Sequence, residues 1–129
     1  MWNEGYTSEI NYTSGYYSEL SPTRIQLALL ACGIDHSVGE NPDYLELGFG
    51  QGLSLNINAA TSSGHFFGTD FNPGQVANAR ELARSMGKNI ALLENSFEEL
   101  AQRTDLPQFD IIALHGIWSW ISAGSRAAI

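Results

Sequence analysis

The chain has 129 residues, enough for one domain of modest size, and its 43% hydrophobic residues suffice for a packed core rather than a disordered chain. Fourteen Asp and Glu against six Lys and Arg give a net charge of −8, a surface that repels phosphate backbones and argues against DNA or RNA as a partner. A single cysteine excludes an internal disulfide and points to a reducing, cytoplasmic setting, and no secretion signal or apolar run of membrane-spanning length is present.

Residues 1–20 carry Trp2, Tyr6, Tyr12, Tyr16 and Tyr17 among small polar residues, without helical or strand periodicity. They read as an irregular aromatic arm. Ser21-Pro22 then opens a helix, with serine as N-cap and proline at the first helical position. It runs through Ile25, Leu27, Leu29 and Leu30 to Cys32, read as a packing residue, and Gly33 stops it. Residues 34–42 form a polar loop in which Asp35 and His36 read as solvated.

Residues 43–47, Asp-Tyr-Leu-Glu-Leu, suit a buried parallel strand. Gly48, Gly50 and Gly52 follow and pass directly into a helix over 53–60. A strand, a glycine turn and a helix in that order form a ligand-binding turn. Glycine lets a ligand touch the backbone, and the helix start presents free N–H groups. A dinucleotide fingerprint would need a further glycine where Leu53 stands, which disfavours an NAD-dependent oxidoreductase.

The spacing present is Glu46-x-Gly48-x-Gly50-x-Gly52. It resembles the first motif of class I S-adenosylmethionine-dependent methyltransferases. The resemblance implies S-adenosylmethionine as cofactor and S-adenosylhomocysteine as product, held at Glu46, Gly48, Phe49, Gly50 and Gly52. It also opens a second reading of the arm as an aromatic lid, with Tyr16 the candidate, because a tyrosine face attracts the sulfonium cation. Residues 16–22 look like the segment before the core in a bacterial subgroup that carries a downstream methyltransferase regulatory domain.

A turn at 62–64 leads to a second strand ending at Asp70, 22 positions beyond Gly48, near the spacing at which a carboxylate meets a ribose. Phe71 can lie along an adenine face. Asn72-Pro73 starts a helix that Gly87 ends. A third strand is expected over 90–94, then a short helix to about Arg103. The resemblance assigns adenine contacts to Ser96 and Phe97, while a helix cap at Asn95 or Ser96 explains the same residues. The fourth strand, 109–114, is nearly all apolar and reads as central. It delivers His115 to the carboxyl edge, where the resemblance places the methyl acceptor. His115 is a candidate general base or acceptor-orienting group, or simply a strand-end histidine bonded to backbone. Trp118 and Trp120 wall an acceptor pocket or pack in the core.

A last helix begins at Ser122 and runs off the end at Ile129 without a cap, as though the chain were cut. The expected fold is a Rossmann-like, doubly wound parallel α/β sheet of about four strands, resembling the amino-terminal half of a class I methyltransferase. Residues 1–21 form the arm and 22–129 a partial cofactor-binding domain. The implied chemistry is methyl transfer to an unknown acceptor, possibly a protein lysine, with no metal, nucleic acid or membrane involved. A non-catalytic cofactor-binding or assembly module is the alternative. An exposed fourth strand is expected to join copies of the chain through that edge or the adjacent helices.

Overall fold

The computed structural model describes residues 14–129. Of the aromatic arm, Trp2, Tyr6 and Tyr12 therefore lie outside the described residues. A short 3-10 turn, Ser18–Leu20, leads into α1 (Pro22–Ala31). Then follow β1 (Asp43–Leu47), α2 (Leu53–Thr61), β2 (His65–Asp70), α3 (Pro73–Ser85), β3 (Ala91–Glu94), α4 (Phe97–Ala101), β4 (Ile111–Leu114) and α5 (Ala123–Ala128).

All four strands are parallel, in the order β3-β2-β1-β4. The period-2 alternation of the strands divides the core between two faces. Tyr44, Phe66, Leu92, Ile111 and Ala113 join Leu55 and Ala59 of α2 and Val76, Ala79 and Ala83 of α3 on one face. Leu45, Leu47, Phe67 and Leu114 join Phe97 and Leu100 of α4 and Ala128 of α5 on the other. Helices thus cover both faces, as a doubly wound sheet requires. The chain steps outward from β1 to β3 and then returns to the far side of β1. That reversal places a crevice at the carboxyl ends of β1 and β4, the general location of ligands in open α/β sheets.

Most helix starts obey local chemistry. The Asn72 carboxamide accepts from the Gly74 and Gln75 N–H groups, and Ser122 Oγ accepts from the Ser125 N–H. Ser96 and Glu99 form a reciprocal capping box. Ser21 caps α1 without a side-chain hydrogen bond, with Pro22 at its first turn.

Several expectations need correction. Helix α1 does not bury its apolar residues: Leu30 is 70% exposed, Leu27 is exposed as well, and Cys32 is an exposed free thiol rather than a packing residue. Only Pro22 is buried and Ile25 packed against the core, because α1 touches the domain mainly at its start. His36 is exposed as expected, and its Nε2 also lies 3.1 Å from the Asp110 carbonyl. β4 is shorter than expected, and among the described residues it stands at a sheet edge, in line with the expected exposed fourth strand. Its Ile112 is 58% exposed. Phe109 stands just before the strand and packs edge-on against Phe67.

Candidate functional site

A cavity of about 230 Å³ lies over the glycine turn at the carboxyl edge of the sheet. Its floor is the turn between β1 and α2. Gly48, Gly50 and Gly52 all have positive φ, between 57° and 75°. They serve different ends. A Cβ on Gly50 would meet nothing within 4 Å, so this backbone faces open cavity. A Cβ on Gly52 would strike Ala79 Cβ at 2.5 Å, so Gly52 lets α2 and α3 pack closely. A Cβ on Gly48 would collide with the Ile117 side chain. Gly68 on β2, outside the turn motif, admits Leu55 and Phe49 against the strand.

Two buried carboxylates flank the turn. Glu46, on β1, is 3% exposed, and among the described residues its Oε2 has no hydrogen-bond partner. Burial away from water raises its pKa from 4.5 to about 8. Asp70, at the end of β2, is held by backbone. Its Oδ2 accepts from the Gly50 N–H at 2.9 Å, and its Oδ1 from the Asn72 N–H at 2.9 Å. Burial raises Asp70 to about 6, against the lowering effect of those two bonds. The Gln75 amide, oriented with its nitrogen toward the carboxylate, donates to both oxygens at 3.2 and 3.1 Å. Asp70 therefore already fastens the glycine turn to β2 and α3, a role its spacing did not announce.

The remaining candidates divide. Phe49, Phe71, Phe97 and His115 line the cavity with the glycines and the two acids. Tyr16 and Ser96 do not. Tyr16 is 46% exposed, while its neighbour Tyr17 lines the cavity and stacks on His115 with ring centroids 4.3 Å apart. Ser96 is occupied as the α4 cap, and the lining residue beside it is Asn95. Asn95 is well held: its Oδ1 accepts from Arg103 Nη1 at 3.0 Å and its carbonyl from Thr69 Oγ1 at 2.8 Å. Trp120 lines the cavity and Trp118 does not, and both are about half exposed rather than core. Ser54, Asn72 and Gln75 complete a polar lining that no motif spacing marked. Among the described residues, no group of three or more His, Cys, Asp and Glu stands together to hold a metal ion.

Comparison with known proteins bears on this arrangement. A family model described as "Methyltransferase domain" matches residues 45–129. The chain is 45% identical over 131 residues to the uncharacterized protein sll1526 of Synechocystis sp., an alignment covering 99% of this chain and 26% of that protein. Among solved structures, PKMT2 from Rickettsia typhi in complex with AdoHcy superposes with a TM-score of 0.81 at 23% identity, over 91% of this chain and 23% of that one. Magnesium protoporphyrin IX methyltransferase from Synechocystis with bound SAM gives a TM-score of 0.57 at 16% identity, over 82% of this chain and 48% of that one. At these identities the two structures show the fold. The chain spans about a quarter of the length of sll1526 and of PKMT2. With the doubly wound sheet, the glycine turn and the family match in agreement, the chain belongs to the methyltransferase domain family and has the class I fold, whose cofactor is S-adenosylmethionine.

Proposed function

We propose that the cavity binds S-adenosylmethionine and that the whole protein transfers a methyl group to an acceptor amine, a protein lysine being the favoured class. The observation that carries the first half is the Glu46 carboxylate, buried beneath the glycine turn with an oxygen that no group among the described residues satisfies. A buried acid without a partner is costly unless a ligand completes it. An ammonium is the group that does so. Asp70, at the other side of the turn, accepts from ribose hydroxyls, which displace the Gln75 amide from its oxygens. Phe71 and Phe97 flank adenine, and Asn95 offers its held amide beside them.

The bound cofactor supplies an electrophilic methyl group on a sulfonium. The chain positions the reactants and excludes water. Gly50 gives the ligand close access to backbone, and His115, through an imidazole nitrogen, takes the proton that an acceptor amine must lose. The net charge of −8 supports a lysine-bearing acceptor over a nucleic acid. Among the described residues no helix is long and apolar enough to cross a membrane, and with one cysteine we place the protein in the cytoplasm. The subgroup likeness of residues 16–22 supports a regulatory domain downstream in the parent protein, and residues 1–21 as an arm ahead of the cofactor domain. The open edge of β4, with Ile112 outward, supports pairing with a second copy of this chain.

Thermal shift with S-adenosylmethionine, S-adenosylhomocysteine, NAD and NADP tests the cofactor. Stabilisation by the first two alone is expected. Stabilisation by a nicotinamide cofactor instead would overturn the reading.

A further inference from the structure

Tyr17 and His115 come from opposite ends of the described chain and meet at the cavity. Tyr17 stands just ahead of the 3-10 turn, His115 just after β4, and their planes lie 26° from parallel. Both line the cavity, and Tyr17 is 40% exposed, so the pair forms part of the rim rather than the floor.

Each ring hangs from a separately fixed backbone. The Tyr17 N–H donates to Ser54 Oγ of α2 at 2.8 Å, and that hydroxyl donates to the Gly15 carbonyl at 3.3 Å. The Leu20 carbonyl accepts from Tyr44 Oη at 2.7 Å and from Asn58 Nδ2 at 3.3 Å. These bonds tie residues 15–20 to α2 and β1. On the other side, β4 pairs with β1 in register up to Leu114, and Ile117 packs over Gly48. Two anchored segments thus present flat rings to each other beside the glycine turn. The sheet order puts this pair on the β4 side of the turn, with Asp70 and Asn95 on the other side.

We propose that Tyr17 is a positioning residue for His115, and that the stacked pair closes the β4 side of the cavity over the bound cofactor. This deepens the cofactor reading above and rests on it. Residues 15–20 hold the tyrosine and the tyrosine holds the imidazole. An imidazole with one face covered keeps its nitrogens in the cavity rim, where an acceptor's proton must be collected. Departure of the cofactor on this side requires the rings to part.

The test has two arms. In histidine-labelled protein, the His115 ring protons, assigned with His115→Ala, are expected upfield because a ring lies over them. Tyr17→Ala should return them to ordinary values, Tyr17→Phe should keep them upfield, and Ser54→Ala, which touches neither ring, should shift them part of the way. In stopped-flow dissociation of S-adenosylhomocysteine, Tyr17→Ala and His115→Ala should each speed release about two- to tenfold, the worth of one aromatic pair. Tyr17→Phe should match the parent, and the double variant should release no faster than either single one. Unmoved His115 resonances in folded Tyr17→Ala protein would overturn the positioning role, and single effects that multiply in the double variant would overturn the closure. If the parent chain binds no S-adenosylhomocysteine, the cofactor reading and the closure both fall, and the spectra alone still decide the pairing.

Discussion

Asp70 Oδ2 accepts a hydrogen bond from the backbone N–H of Gly50 at 2.9 Å, which locks the end of β2 to the crown of the glycine turn. Two residues singled out for a ligand are thus first of all bound to each other. Removing the carboxylate loses this bond and the one from Asn72. Each hydrogen bond to a charged group is worth about 1.5–3 kcal/mol. Asp70→Ala is therefore expected to lower thermal stability as well as ligand affinity, and Asp70→Asn to restore part of the stability and little of the affinity. Unfolding midpoints and calorimetric titrations of the two variants separate the roles.

The glycines of the turn give a sharper contrast. Gly50 faces open space at φ 57°, so Gly50→Ala costs only the left-handed strain of about 1–2 kcal/mol and leaves the fold intact. Its methyl group enters the open cavity, and if the ligand lies there S-adenosylhomocysteine binding should fall steeply, with Gly50→Val abolishing it. Gly52→Ala drives a Cβ into Ala79 and should instead destabilise the α2–α3 packing. Equal losses of stability in both variants would contradict this division.

Glu46 makes the chain sensitive to pH. Its folded pKa, about 8, lies above the ordinary 4.5, so the folded state prefers the protonated acid. The contribution is fully present below about pH 4.5 and is lost as pH rises through about 8. Relative to Glu46→Gln, which keeps a neutral side chain, the parent should lose stability between pH 5 and about 8.5 in denaturant titrations. If an ammonium completes Glu46, ligand binding at pH 7 expels its proton. Calorimetric heats of binding should then depend on the buffer's ionisation heat in the parent and not in Glu46→Gln.

The open edge of β4 yields a prediction about assembly. Ile112 is exposed on that edge while Ile111 is buried, so Ile112→Lys is the substitution that spares the core. Sedimentation of the parent chain at micromolar concentration should show a dimer, and Ile112→Lys a folded monomer. A parent chain that sediments as a monomer contradicts pairing through β4.

Much of this architecture is legible in the residues because local chemistry and tertiary packing agree there. The apolar run of β1, the glycine turn, and the Asn72-Pro73 start of α3 each state their structure within a few residues. What the residues do not state locally depends on distant partners. Tyr16 and Tyr17 are indistinguishable by type, and a bond to Ser54, 37 positions away, selects Tyr17 for the cavity. Ser96 and Asn95 divide their labour because the capping box consumes the serine while Arg103 orients the asparagine. The leucines of α1 look like a core stripe, yet among the described residues the helix meets the core near Pro22 and Ile25. Gly68 shows its purpose only when Leu55 is seen packed against it.

In the proposed site the cavity holds S-adenosylmethionine with its ribose end at Asp70. Calorimetric titration of S-adenosylhomocysteine into the parent chain and into Asp70→Ala tests it most directly. One site per chain is expected in the parent and at least about tenfold weaker binding in the variant, a loss of about 1.4 kcal/mol or more. A folded parent chain that gives no binding heat, or a variant within twofold of the parent, would contradict it.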